Sequence, residues 1–256
     1  MRSLIVCSFV CLFPVACGDG GAPATDAAPL SSDAATHDAS GVICNARTAG
    51  GTHKLFLQFE GQTVTRGEND ATQNTARWVA QGRPTATIPA WRPMAADRAA
   101  HIETVTCRVR EALYPFDVDV VTTRPSSGDY EMVVIGGSSA DLGHAQGISG
   151  FSGVDCENSN VRDIAWVADR IESGALEPAL VANNIGGVVG VGNGLDASSD
   201  PANCMCFARS ATDCDAAAAC GFAVDATRRA GDQICGDPDA TEDQLAKLVA
   251  RYGLRP

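Results

Sequence analysis

The residues able to do chemistry are few and poorly clustered. Histidine occurs at His37, His53, His101 and His144, and no two stand at i and i+4, so no H-E-x-x-H zinc helix can be written anywhere in the chain. His144 is the one histidine inside a long Gly/Ser-rich stretch, with Ser138, Ser139, Ser149 and Ser152 near it in sequence. A hydrolase built around His144 is therefore one reading, although the G-x-S-x-G elbow of a nucleophilic serine is absent. Asp155, Glu157 and Asp163 offer oxygen ligands for calcium, but they lack the D-x-[DN]-x-[DN]-G spacing that wraps such an ion, and they read as solvated loop carboxylates.

Leu176 to Phe207 (LEPALVANNIGGVVGVGNGLDASSDPANCMCF) carries the functional argument. Pro178 suits the first turn of a helix, and Leu180, Val181 and Ile185 could form its buried face. Five glycines then follow within nine residues, Gly186, Gly187, Gly190, Gly192 and Gly194. Each interior glycine disfavours a helix by about 1 kcal/mol relative to alanine, so propensity opposes a long one. A phosphate-cradling loop is the obvious competitor, but neither G-x-x-x-x-G-K-[ST] nor a G-x-G-x-x-G unit opened by a strand is present.

In its order of elements this stretch resembles the zincin-like secreted metallopeptidases of the metzincin type. Their active-site helix reads H-E-x-x-H-x-x-G-x-x-H and is followed by a turn whose methionine lies beneath the metal. In that frame Asn183 stands at the first histidine, Asn184 at the glutamate, Gly187 at the second histidine and Asn193 at the third. Gly190 falls on the motif's glycine, where the helix would end and the chain turn, and Met205 falls at the methionine. The resemblance spans about Lys54 to Phe207, with identity at Gly190 and Met205 alone. It implies a zincin-like mixed sheet with a long helix, a degenerate active-site helix and a disulfide-rich C-terminal part. It also implies no zinc and no other cofactor, because zinc needs imidazole, thiolate or carboxylate ligands and glycine offers none. Asn184 cannot deprotonate a water, so the resemblance implies a pseudo-peptidase whose vestigial cleft binds a peptide or protein by strand addition. The rivals are a hydrolase using His144 and a structural envelope lipoprotein without a specific ligand. A Gly-rich loop in an unrelated domain is the plain alternative for the segment itself.

Several elements would position these residues. His53 to Phe59 alternates as a strand with Leu55, Leu57 and Phe59 on one face, and Gln62 to Arg66 could pair back as a hairpin. Gly67 to Arg92 reads mainly as loop. Ala95 to Tyr114 is the clearest helix, with Ile102, Val105, Val109 and Leu113 on one stripe and Pro115 as its stop. Phe116 to Thr122, Tyr130 to Ile135 and Asp163 to Ala168 read as strands, and Gly136 to Asn160 as a long loop. Thr241 to Tyr252 reads as an amphipathic helix, with Thr241 and Gln244 suited to a capping box and Gly253 as its end. These elements predict a mixed α/β or α+β sheet.

The chain opens with one basic residue and a thirteen-residue apolar stretch, Leu4 to Ala16, then Cys17. That pattern describes a secretory signal, too short to span a bilayer core of about 30 Å as a helix. Pro14-Val15-Ala16-Cys17 resembles a bacterial lipobox, which implies a lipidated Cys17 and an envelope location; Pro14 departs from the usual leucine. An ordinary cleaved signal, leaving a secreted protein, is the alternative. Residues 17–43 are rich in Ala, Asp, Ser, Gly and Pro and read as a flexible acidic tether, reaching roughly 30 Å as a random coil. The expected organisation is a signal peptide at 1–16, lipidated cysteine and tether at 17–43, and one domain at 44–256. With 19 basic and 31 acidic residues, a net charge of −12 and no basic cluster, nucleic acid is an improbable partner. Cys44, Cys107, Cys156, Cys204, Cys206, Cys214, Cys220 and Cys235 remain for the domain, an even number that argues for disulfides in an oxidising compartment. A zinc site in the Cys204 to Cys235 cluster is the alternative, though C-x-x-C pairs are missing.

Overall fold

The computed structural model describes residues 51–144, 147–171, 174–208, 214–215, 219–231, 233–236 and 239–255. The signal sequence, Cys17, the tether and Cys44 lie outside the described residues.

The domain is mixed α/β. Its main sheet has five strands: β1 (His53–Gln58), β5 (Val118–Val121), β6 (Glu131–Ile135), β7 (Gly150–Phe151) and β8 (Ile164–Val167). Their spatial order is β5-β1-β6-β8-β7, parallel throughout except for the antiparallel edge strand β7. A second sheet holds β2 (Gln62–Arg66) between β3 (Thr75–Ala76) and β4 (Thr85–Ile88). The pairs β9 (Arg170–Ile171) with β10 (Gly174–Ala175) and β11 (Ala226–Thr227) with β12 (Thr241–Glu242) are short ribbons. The helices are α1 (Arg98–Ala112), α2 (Ser139–Leu142), α3 (Pro178–Gly192) and α4 (Gln244–Tyr252), with a 3-10 turn at Cys204–Ala208. Among the described residues no helix is long and apolar enough to cross a membrane.

The central strands are covered on both faces. Leu55, Phe56 and Leu57 of β1 are all buried, as are all five residues of β6 and all four of β8. The one-face alternation expected for β1 is therefore incomplete: a parallel interior strand buries both sides. Both edges of β1 are taken by β5 and β6, which is why β2 cannot fold back on it as a hairpin. The chain instead turns at Gly61 (φ 81°) and β2 pairs with β4 and β3. The stretch from Gly67 to Arg92, expected to be mainly loop, thus carries two strands, β3 and β4. In β4 the exposed Thr85 and Thr87 alternate with buried Ala86 and Ile88, a four-residue signal between Pro84 and Pro89.

Helix α1 keeps the predicted stripe, with Val105, Val109 and Leu113 buried and Ile102 half-buried against the same core. Helix α4 starts later than expected. Thr241 belongs to β12, and the cap is Asp243, whose carboxylate accepts from the Ala246 N–H. Gln244 is buried instead, its Oε1 accepting from Asn203 and from the Ala223 N–H. The Gly136 to Asn160 loop contains α2, closed by a capping box between Ser138 and Asp141, and the edge strand β7.

Three disulfides are described: Cys156–Cys235, Cys204–Cys220 and Cys206–Cys214. Cys107 is also disulfide-bonded, its partner lying outside the described residues. With these sulfurs covalently paired, the cysteine zinc cluster weighed above is not formed.

Candidate functional site

The site singled out by sequence is α3, and it is a fifteen-residue helix in spite of its glycines. Packing overrides propensity here, and two contacts show how. A Cβ on Gly186 would lie 2.8 Å from Cys204 Sγ and 3.0 Å from Cys220 Sγ, so the bare backbone lets the disulfide lie against the helix. A Cβ on Gly190 would run into Met205 Sδ, with Leu195 at 3.3 Å. Met205, fully buried in the 3-10 turn, therefore packs directly on α3 at Gly190.

Gly190 does not end the helix, contrary to the motif frame. The helix runs on to Gly192 and closes where Gly194 takes the left-handed conformation (φ 70°), with Leu195 N–H donating to Gly190 O. Gly190 stays helical against Met205, and the turn falls at Gly194. The ten steps from Asn183 to Asn193 then span about 15 Å along one axis. The two residues that the motif frame assigns to the first and third ligand positions, Asn183 and Asn193, therefore do not converge on one point.

Their surroundings differ accordingly. Asn183 is 1 % exposed; its Oδ1 accepts from Cys220 N–H and its Nδ2 donates to Asp215 O. Asn184 and Gly187 are buried as well. Asn193, 4 % exposed, donates through Nδ2 to Val189 O (2.8 Å) and to Tyr252 Oη (2.9 Å). Tyr252 in turn donates to Glu131 Oε2 at 2.6 Å, and Arg251 pairs with Glu131 Oε1 at 2.8 Å. Burial, then the neighbouring Glu131 carboxylate, pushes the Tyr252 phenol well above its ordinary range. The α3 face expected to look into a cleft is thus sealed by the Cys204–Cys220 disulfide, the 3-10 turn and α4.

The other sequence candidates have structural partners. His144 Nε2 lies 2.6 Å from Trp78 O, and its ring packs on Phe151 with centroids 4.6 Å apart. Ser152 donates to Asp163 rather than to His144. His101 lies between Asp97 and Arg92 beside the Trp91 ring. Asp155 accepts from the Ser159 and Asn160 N–H groups, closing its own turn. Asp163 is not the solvated loop carboxylate expected: it is 8 % exposed and takes hydrogen bonds from Asn69 (2.7 Å) and Ser152 (3.0 Å). Among the described residues, no three His, Cys, Asp or Glu side chains gather as a metal ion would require.

Three buried polar groupings had no signal in the sequence, because their members are far apart in the chain. One is Glu131 with Arg251, Tyr252 and Asn193. A second joins Asp196, ion-paired with Arg228 at 2.8 Å, to Glu242 and Lys247 beneath the C-terminal segment. The third is Asp163 with Asn69 and Ser152. Asp163 also forms part of the floor of an open groove of about 400 Å³, beside Asn69, Arg77, Asp155 and Asn160.

The two edges of the main sheet are dressed differently. At β5, Arg110 donates through Nε and Nη2 to Val120 O, and Arg255 donates to Val118 O. Those carbonyls point away from β1, since His53 N–H takes Asp117 O and carbonyl direction alternates along a strand. At β7, no described side chain is hydrogen-bonded to the backbone of Gly150 or Phe151.

No family model matches the chain, and a search of curated proteins finds no relative.

Proposed function

We propose that this chain is an exported lipoprotein, anchored through a lipidated Cys17 and tethered outside the cytoplasm, whose domain is a zincin-like framework without peptidase chemistry. Its work is to bind an extended peptide or protein segment by strand addition at β7. The observation that carries the binding role is the asymmetry of the sheet edges. Guanidinium groups occupy the outward carbonyls of β5, which blocks pairing there, while β7 is an antiparallel edge strand left open among the described residues. The loss of peptidase chemistry is supported by Asn183, Asn184, Gly187 and Asn193, which offer neither zinc ligands nor a base, and by their burial. Packing of Met205 on α3 at Gly190 supports the zincin-like frame; the late end of α3 departs from it.

Zinc content and peptidase activity are measured together on the purified, oxidised protein. Near-zero zinc with no cleavage is the expected result, and a chelator-sensitive peptidase activity would sink the proposal. For the binding role, a photo-crosslinking residue replaces Phe151 or, as control, Val121, and each variant meets a pool of unstructured decapeptides. Capture at position 151 alone is expected; equal capture at both removes the case for β7. Fatty-acid labelling that depends on Cys17 tests the anchor.

A second reading is a structural envelope lipoprotein without a specific ligand. The burial of Asn183 and Asn193 favours it, since a filled site leaves no cleft at α3.

A further inference from the structure

Asp163 immediately precedes β8, where the β2–β3 loop, β6, β7 and the end of α3 come together. Its Oδ1 accepts from Asn69 of the β2–β3 loop, and its Oδ2 accepts from Ser152, one residue after β7. A Cβ on Gly192 would lie 2.6 Å from Asp163 Oδ2, so the carboxyl lies against the last residue of α3. That is the negative end of a helix, where an anion is disfavoured. On its inner side Asp163 shares with Glu131 and Ser152 a pocket of about 10 Å³, about the room one water needs. On its outer side the open groove connects it to solvent.

The charges around it do not neutralise it. On β6, Glu131 is committed to Arg251 and Tyr252 of α4. Arg162, adjacent in the chain, pairs with Asp129 and Asp70. Across the groove Arg77 pairs with Glu68, and Asp155 adds another carboxylate. Helix α3 carries no charged side chain. Asp163 is therefore a buried carboxyl met by neutral donors, with a second carboxylate and a helix C-terminus nearby.

We infer that Asp163 is the centre of a proton-operated clasp, which holds the β7–β8 loop and the β2–β3 loop on the sheet more firmly when its carboxyl is protonated. Both bonds survive protonation: Asn69 still donates to Oδ1, and the acid O–H donates to Ser152 Oγ once that hydroxyl turns. The proton comes from solvent through the groove. Burial, chiefly, raises the carboxyl from 3.8 to about 6, with Glu131 adding to the rise and Asn69 and Ser152 opposing it. The closed clasp thus binds its proton more tightly than the open one. Closure has its full advantage below the ordinary carboxylate value and loses it as pH rises through about 6. The clasp sets how firmly β7 is held; only that consequence rests on the peptide-binding reading.

Hydrogen exchange of the β7–β8 loop, corrected for intrinsic rates, is compared at pH 5 and pH 7.5 in the whole protein. Opening is expected to rise about tenfold between them and to be independent of pH in Asp163→Asn. Equal protection at both pH values, or the same rise in the variant, overturns the inference. Carbon-13 labelling of aspartate carboxyls leaves Asp163 itself intact: one carboxyl of the wild type is expected to titrate near pH 6, and to move down in Glu131→Gln. Titration of every aspartate below pH 5 would equally overturn it. Neither measurement uses a peptide, so failure here leaves the binding proposal standing, and failure to bind peptide leaves the clasp standing.

Discussion

Asn193 shows how a single buried amide can tie distant segments of the fold together. Its amide ties the end of α3 to Tyr252 and through that phenol to Glu131 and Arg251, so it serves as a cap and a cross-brace. Asn193→Ala should lower stability by about 1–3 kcal/mol, the usual loss when a buried hydrogen-bonding partner is removed. Asn193→Asp should lower it further at neutral pH, because a new carboxylate would be buried near Glu131. Urea denaturation of both variants checks this. Two wild-type midpoints would mean that Asn193 faces an open cleft after all. None of this bracing was legible in the sequence, where 59 residues separate Asn193 from Tyr252 and 121 separate Tyr252 from Glu131.

At the scale of elements, α3 shows propensity and packing pulling in opposite directions. Its glycines disfavour the helix locally, yet they admit Met205 and the Cys204–Cys220 disulfide against its backbone. Gly190→Ala separates the two effects. Helix propensity alone would make the variant more stable by about 1 kcal/mol. The contact with Met205 predicts the reverse, a loss of about 1–3 kcal/mol from overpacking. Thermal unfolding gives the sign directly. The stripe of α1, the alternation of β5 and the continuous apolar runs of β6 and β8 are legible because one physical demand, burial of a stripe or a whole strand, governs each sequence. β3 and β4 escaped because strands of two and four residues carry too few positions for a period to stand out.

At the scale of the molecule, the domain is held by the buried sheet and by covalent ties in its C-terminal part. The Cys156–Cys235 bridge spans 79 residues and joins the β7–β8 loop to the segment that follows β11. Chain entropy assigns such a loop about 4 kcal/mol. The Cys156→Ser, Cys235→Ser double variant should lose roughly that much in equilibrium unfolding, with faster hydrogen exchange concentrated in the β7–β8 loop. Uniformly faster exchange across the domain would show instead that the bridge stabilises the whole fold without anchoring that loop.

Composition, cysteine parity and the pattern of apolar residues were enough, by themselves, for a mixed α/β domain with disulfides, for the stripe of α1 and for three strands of the main sheet. These are local or summed properties, and a chain carries them in order. The tertiary structure alone decided that β1 is an interior strand and β2 excluded from its edges, that α3 outruns Gly190, and that Asn193, Tyr252 and Glu131 meet. It also decided that Asp163 is buried between two loops and a helix end. Each of these depends on which distant segments exclude water from one another, and no spacing along the chain encodes that.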